Sequence, residues 1–578
     1  MTNFFTDNED LLFHLENTNL DEMITIHEKN FEESRTYDHA PGDVGDALDG
    51  YRRVLTMVGQ LASDYFAPRS SQIDEEGTTL KQGEVIYAKG IQESLEMLRK
   101  ADLMGINLPR KYGGLHFPQF IFNMMVEIIS QADASLENIF GLHGVAEIID
   151  LYGDKELKDK FLPLFCSGYV TGAMALTESQ AGSDLQNVQL KAKENNDGTW
   201  SLNGVKRFIT NGNADILLVL ARSEPDSSGG LGLSLFLCEK GDTIKIRRLE
   251  DKMGIHGSPT CELQFTDTKG FLIGERRRGL VTYVMTLLNG ARLATSAQAV
   301  GISQAAYNVA REFAYSRKQF GQRIESFPQI AEILIEMQTN IEAARALNLE
   351  TAYMLDIGFG LFKILEENKC TKEEYPALNK KRKQIERLIN FLTPLAKYFG
   401  TEKSLEITSF AIQILGGSGY MRDYPLEQYF RDARITTIYE GTSQIQIAAA
   451  LRGILGGNAE KYFSTLATEV YVRPLIKLAR EMEKARKLLD KALHYLEGKK
   501  DKLYIDLVSK DLVDITSDII IGYLFLRQAK RSDRKFIMAK RFIHYLLPKV
   551  RMRTEKILKG DKTTLSHFQL LAGPPTRK

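Results

Sequence analysis

Cysteine, tryptophan and net charge are scarce in this sequence, and each scarcity excludes something. The four cysteines, Cys166, Cys238, Cys261 and Cys370, lie far apart with no C-x-x-C pair, and the nine histidines show no metal-ligand spacing. That pattern excludes a disulfide framework and a structural zinc, so no metal is assigned and a reducing compartment is expected. Lys plus Arg and Asp plus Glu each total 75, so no chain-wide positive field for a nucleic acid is expected. Ile519 to Leu526, the longest apolar run near the C-terminus, has eight residues, against the ~20 of a membrane span. The opening M-T-N-F-F-T-D-N-E-D has no basic stretch followed by an apolar core; this reads as no secretory signal and a cytoplasmic location. There is no internal repeat and no low-complexity segment. Neither R-K-Q-F-G at Arg317 nor G-G-S-G at Gly416 follows a Rossmann βαβ pattern, which disfavours nicotinamide binding.

What is present is ordinary globular material, 43% apolar and 26% charged, in a chain too long for one hydrophobic core. Its charge is uneven. Residues 1–50 carry 13 Asp/Glu against 2 Lys/Arg, and residues 527–559 carry 12 Lys/Arg against 2 Asp/Glu. Two solvated surfaces are the plain reading; the sharper one pairs the acidic arm with the basic helices within or across subunits. Residues 1–45 read as an irregular or short-helical acidic arm, followed by a helix capped by Asp43 and a helical domain over 46–168. Over 169–276 short alternating runs predict a β domain: L-K-A-K, N-N-D-G as a hairpin turn, T-W-S-L-N-G, I-L-L-V-L-A-R, L-S-L-F-L, T-I-K-I-R and C-E-L-Q-F. Helical spacing returns over 277–456, and 457–578 read as further amphipathic helices. Trp200, in the hairpin, reads as core. His256 reads as structural or exposed, because nothing near it in sequence completes a base or metal constellation.

One stretch concentrates chemistry: Arg431 to Ile447, R-D-A-R-I-T-T-I-Y-E-G-T-S-Q-I-Q-I. Glu440 stands between an apolar approach (Ile435, Thr437, Ile438, Tyr439) and Gly441-Thr442, which open a helix expected over 441–452. A carboxylate at such a junction is poorly solvated, which strengthens it as a base. Gly441 admits a ligand close to backbone N–H groups at a helix start.

I-Y-E-G-T-S-Q-I-Q, preceded by Q-I-L-G-G-S-G-Y at Gln413 to Tyr420, closely resembles the C-terminal signature of the acyl-CoA dehydrogenases, and the likeness runs in order from about Tyr51 to Ile454. The resemblance implies a mainly helical fold with an inserted β domain: an N-terminal helical domain, a central β domain and a C-terminal four-helix bundle carrying Glu440. Residues 457–578 resemble the extra helical domain of the larger, very-long-chain type members.

The resemblance also implies a site. A-L-T-E-S-Q-A-G-S-D, ending at Asp184, is similar to the family's T-E-P-x-A-G-S-D, so Thr177, Gly182 and Ser183 are expected on FAD, with Ser183 also near the acyl-CoA; Ser179 and Gln180 depart from the usual wording. R-F-I-T-N-G is similar to W-I-T-N-G, which places Thr210 toward flavin N5 and Phe208 where an indole often shields the ring. Asn289, Arg292 and Gly441 are expected around the acyl-CoA. Some relatives carry the catalytic Glu just before that Arg; here the residue is Ala291, so the base is Glu440. Arg317, Gln319, Phe320, Gln413, Gly416 and Gly417 are expected to complete the flavin site across a subunit interface, and Thr442 and Gln444 are expected on the flavin as well. That implies a homodimer, with a tetramer as the alternative.

The activity implied is FAD-dependent α,β-dehydrogenation of an acyl-CoA to the trans-2-enoyl-CoA. Glu440 takes the α-proton, flavin N5 takes the β-hydride, and an electron-transfer flavoprotein is the partner. Two other classes stay open in the sequence. One is an acyl-CoA oxidase; the other is a non-catalytic flavoprotein of this fold whose basic C-terminal domain binds nucleic acid, or a membrane through residues 519–559.

Overall fold

In the computed structural model, which describes residues 2–471 and 473–575, the alternating runs form a seven-stranded sheet. Its strands are β1 Gly172–Ala175, β2 Lys191–Glu194, β3 Trp200–Thr210, β4 Ile216–Arg222, β5 Leu233–Glu239, β6 Ile244–Leu249 and β7 Thr260–Leu272. The path runs β1-β4-β2-β3-β7-β5, β6 hangs on β7, and pairing of β4 with β5 closes the ring. Closure removes most free edges. β4 reads as an unbroken apolar run because both of its faces are buried. Ile216, Leu218 and Leu220 face a helical layer with Phe161, Leu162 and Val284, while Leu217, Val219 and Ala221 fill an interior shared with Trp200, Phe236 and Phe265. Trp200 is therefore core.

The chain packs as two units. The first runs to Ile385 and resumes over Gly400–Thr442; the second takes Glu386–Phe399 and the chain from Ser443 onward.

Six helices matter in the first unit: α1 Gln119–Ala132, α2 Ala134–Phe140, α3 Met285–Ser316, α4 Pro328–Glu366, α5 Tyr375–Leu415, which continues into the second unit, and α6 Leu426–Thr436. α3 packs on α1 and α4. Gly301 makes that approach possible, since a Cβ there would stand 2.3 Å from the Glu127 carbonyl oxygen. Every side chain of α1 is buried, so its polar groups need partners from elsewhere. Its N-terminus follows Pro118 with no side-chain cap; Asp356 of α4 accepts from the N–H groups of Gln119 (2.6 Å) and Phe120 (2.8 Å) instead. Burial pushes the Asp356 carboxyl up to about 8.

The acidic arm is packed rather than solvated. Asp43 caps the helix Val44–Leu61 as expected, but helices Glu9–Asn17 and Asp21–His27 precede it, and Phe5, Leu11, Met23 and Ile24 are fully buried. The arm's carboxylates find cations in their own unit. Glu28 and Glu33 meet Arg110 at 2.8 and 2.9 Å, and Asp10 meets Arg345 at 2.5 Å. Arg345, fully buried, also donates to Glu127 (2.6 Å) and Gln304 (2.9 Å), tying the arm to α1, α3 and α4.

The second unit contains α7 Ser443–Leu455, α8 Leu475–Lys499, α9 Ser509–Gln528 and α10 Asp533–Lys559. α7 thus begins two residues later than expected and runs to Leu455. All eight residues of Ile519 to Leu526 are buried, so this run offers no apolar surface to a membrane in the folded protein. α10 buries one stripe, Ala539, Ile543, Leu546, Val550 and Ile557. Its cations are partly neutralised by α9: Arg553 meets Asp514 (3.2 Å) and Asp518 (2.8 Å), and Lys556 meets Asp511 (2.8 Å). No helix among the described residues is long and apolar enough to cross a membrane.

Candidate active site

Glu440 lies in a turn that its own sequence would not hold unaided. After α6 the chain folds back with Ile438 and Tyr439 N–H groups on the Ile435 carbonyl (2.8 and 3.1 Å). Glu440 then adopts φ +54 and Gly441 φ +96. A glutamate in the left-handed region is strained unless its surroundings impose it, and such residues cluster at functional sites. Two contacts impose it here. Arg292 of α3, 8% exposed, donates from Nε to the Glu440 carbonyl at 3.2 Å. The Tyr439 hydroxyl donates to Gln298, one to two turns farther along α3, and Gln298 in turn donates to the Ala134 carbonyl at the start of α2 (3.2 Å). Arg292, expected on the acyl-CoA, is thus engaged with the backbone of the carboxylate residue. Asn289, one turn earlier and half-buried, shares its face of α3.

The second string belongs to the β domain. Glu178 and Ala181 exchange backbone hydrogen bonds (3.0 and 3.2 Å), closing the turn that presents Gly182 and Ser183 to solvent. The Thr177 carbonyl accepts from the Arg207 N–H at 2.9 Å, so the Thr177 and Thr210 strings are neighbours. β3 slips register between Lys206 and Ile209, and Phe208, at φ +60, is 52% exposed with the Arg207 guanidinium 4.6 Å from its ring centre. A bulge of this kind re-aims a side chain. Phe208 is therefore not a core residue. An unpacked ring beside exposed N–H and O–H donors fits a flavin, which stacks on one and accepts from the others.

Sequence reasoning missed the pair that fixes this turn. Lys206 is fully buried, its Nζ 2.8 Å from the Leu176 carbonyl and 3.0 Å from Glu178; burial pulls its ammonium down to about 8. Glu178 also accepts from the N–H groups of Gln189 and Leu190 (2.8 and 2.9 Å). The available signal was a lysine inside an otherwise inward-facing strand position.

The third group stands elsewhere. Arg317, Gln319 and Phe320 occupy a small exposed hairpin at the end of α3, with Phe320 94% exposed at φ +51. Gln413, Gly416 and Gly417 are exposed at the end of α5, and a Cβ on either glycine would meet only open space. Arg292 and Arg317 are connected by one helix, which at ~1.5 Å per residue separates them by roughly 37 Å. The catalytic turn and the Arg317 hairpin therefore stand toward opposite ends of α3. Thr442 is half-buried beside the turn, and Gln444 is exposed on α7 of the second unit.

His256 is not isolated, contrary to its sequence surroundings. Its Nδ1 is 2.9 Å from Asp74 Oδ1, and its Nε2 is 2.9 Å from the Lys252 carbonyl. Arg431 of α6 meets the same carboxylate at 2.5 Å. The bond to Asp74 holds the imidazole up at about 9, while bonds from His256 and Arg431 outweigh burial and hold Asp74 near 2. His256 is structural, and its sign is fixed. A raised pKa stabilises the fold fully below 6.5 and ceases to do so as pH rises through about 9. Asp74 contributes above 3.8 and loses its contribution as pH falls through about 2. A double-mutant cycle on His256→Ala and Asp74→Ala, followed by urea unfolding, should give a coupling that is constant from pH 4 to 6.5 and vanishes above pH 9.

Comparison with known proteins agrees with this architecture. Family models match in order: acyl-CoA dehydrogenase N-terminal domain over residues 49–169, middle domain over 173–268, C-terminal domain over 278–363 and 376–455, and acyl-CoA dehydrogenase C terminal over 458–559. The 3-methylmercaptopropionyl-CoA dehydrogenase of Ruegeria pomeroyi is 32% identical over 457 residues, covering 73% of this chain and 74% of that protein. Among solved structures, butyryl-CoA dehydrogenase from Megasphaera elsdenii is similar with a TM-score of 0.61 and 31% identity, over 70% of this chain and 98% of its own. An acyl-CoA dehydrogenase complexed with FAD from Bacillus anthracis has a TM-score of 0.75 over 91% of both chains; at 23% identity it speaks for the fold alone. The chain belongs to the acyl-CoA dehydrogenase family of FAD-dependent oxidoreductases.

Proposed function

We propose that the protein oxidises the α,β bond of an acyl-CoA thioester, with Glu440 as the base that removes the α-proton. The observation that supports this most is the turn itself: a glutamate at φ +54 with its carbonyl held by a buried arginine. The α C–H of a thioester is too weak an acid for a carboxylate in water. Its removal needs hydrogen bonds to the thioester carbonyl as negative charge develops, and a single such donor is commonly worth ~3–4 kcal/mol. The backbone N–H of Glu440 is assigned as one donor, and Arg292 keeps that residue's backbone in place. Bound FAD supplies the hydride acceptor. Thr177, Gly182, Ser183, Phe208, Thr210 and Thr442 would hold it from one chain. Arg317, Gln319, Phe320, Gln413, Gly416 and Gly417 would hold it from a second, which makes the working form at least a homodimer. The exposure of that hairpin and of the glycines at the end of α5 supports this reading.

Anaerobic mixing of the flavin-loaded protein with short, medium, long and branched acyl-CoAs tests this function. One chain class should bleach the visible flavin absorbance, and reoxidation should be fast with an electron-transfer flavoprotein and slow with air. Fast reoxidation by air would instead identify an oxidase, and absence of bleaching by every thioester would contradict the proposal.

A further inference from the structure

Glu137 is a buried acid that the fold leaves without a partner. It lies on α2, 4% exposed, and among the described residues its carboxyl makes no hydrogen bond or ion pair. Other acids buried in the same unit are compensated: Asp10 and Glu127 by Arg345, Asp356 by two N–H groups, and Asp133 by the N–H of Leu136. Glu137 lies among Leu136, Ile139 and Phe140, all buried. Room for its carboxyl comes from Gly141, one turn on, where a Cβ would stand 2.7 Å from Glu137 Oε1. Burial alone raises this carboxyl well above the ordinary range, and a carboxyl in such surroundings gains from any hydrogen-bonding partner brought to it.

Its position connects it to the catalytic turn. Gln298 bridges the Ala134 carbonyl, one turn before Glu137 on α2, to the hydroxyl of Tyr439, the residue before the base. Burial and then the two nearby carboxyls, Glu137 and Glu440, push the Tyr439 hydroxyl up. Glu137 and Glu440 therefore both act on one tyrosine, which Gln298 ties to the start of α2.

We propose that Glu137 is a specificity residue that contacts the acyl chain and selects an acyl-CoA bearing a hydrogen-bonding group, hydroxyl, oxo or amino, near the oxidised bond. The inference rests on Glu440 as the base. A plain alkyl chain would leave the Glu137 carboxyl unpaired in an apolar wall, whereas a substituted chain pairs it.

The test compares matched plain, hydroxyl-bearing and amino-bearing acyl-CoAs, by kcat/KM and by anaerobic flavin bleaching, in flavin-loaded wild type, Glu137→Gln and Glu137→Leu, with flavin content checking the fold. Wild type should favour a substituted chain over its plain counterpart by tenfold or more. Glu137→Leu should abolish or invert that ratio by improving the plain chain, and Glu137→Gln should keep a preference for the hydroxyl. An unchanged ratio in Glu137→Leu, or a wild-type preference for plain chains, overturns the proposal while leaving the role of Glu440 intact. If no thioester of any kind bleaches the flavin, the reading of Glu440 fails, and this inference with it.

Discussion

Glu440→Gln should lower the rate of acyl-CoA oxidation by ~10²–10⁴-fold or more while flavin content and unfolding stay at wild-type values. The substitution is informative because so little else changes. Glutamine has the same length and accepts the φ +54 backbone as well as glutamate does, and the contact to Arg292 is made by the main-chain carbonyl, which any residue retains. Only the ionisable oxygen is lost. Glu440→Asp keeps the charge and shortens the reach, so it should fall between the two. Arg292→Ala addresses the other half of the arrangement. It releases the carbonyl of a strained residue, and its loss should appear mainly in kcat if the turn is what Arg292 maintains. Stopped-flow bleaching of the flavin by one saturating acyl-CoA, with kcat/KM from steady state, measures all three.

Arg345→Ala should destabilise the first unit by about 3–5 kcal/mol, as expected when one partner of a buried ion network is removed. Two carboxylates, Asp10 and Glu127, would remain, both with exposures of a few per cent. Each would have to stay charged without a cation or take up a proton. The triple change Arg345→Met, Asp10→Asn, Glu127→Gln removes the charges together and should recover much of the loss, because the penalty comes from the unpaired ions rather than from the missing contact. Urea unfolding of the flavin-loaded protein, followed by far-UV dichroism, provides the comparison. Equal stability of Arg345→Ala and wild type would show that the arm is not held by this network.

The features legible in the sequence were local. The β strands could be read because burial on alternate faces writes a two-residue period, and β4 because burial on both faces writes an apolar run. The Asp43 cap was legible because its partner is three residues away. Glu440 was legible as an acid between an apolar approach and Gly-Thr, and the family likeness raised it above other glutamates. What could not be read was long-range. Asp10 and Arg345 are 335 residues apart, Asp356 caps a helix 237 residues upstream, and Asp74 meets His256 across 182. No period or motif records such pairs, so the arm was read as solvated and His256 as unaccompanied. Ile519 to Leu526 was ambiguous for a related reason: eight apolar residues look the same whether they face a membrane or the middle of a helical unit, and only packing by the other helices decides. The exposure of Phe208 was not legible either, because a bulge shifts which face of β3 a residue occupies.

The most direct test of the central claim is α-proton exchange uncoupled from oxidation. An acyl-CoA analogue that can lose its α-proton but has no transferable β-hydride would be incubated in D2O with flavin-loaded wild type and with Glu440→Gln, and deuterium at the α-carbon followed by mass. Rapid α-exchange in wild type and none above background in the variant is the result predicted. Exchange at an undiminished rate in Glu440→Gln would contradict the account and assign the base to another residue.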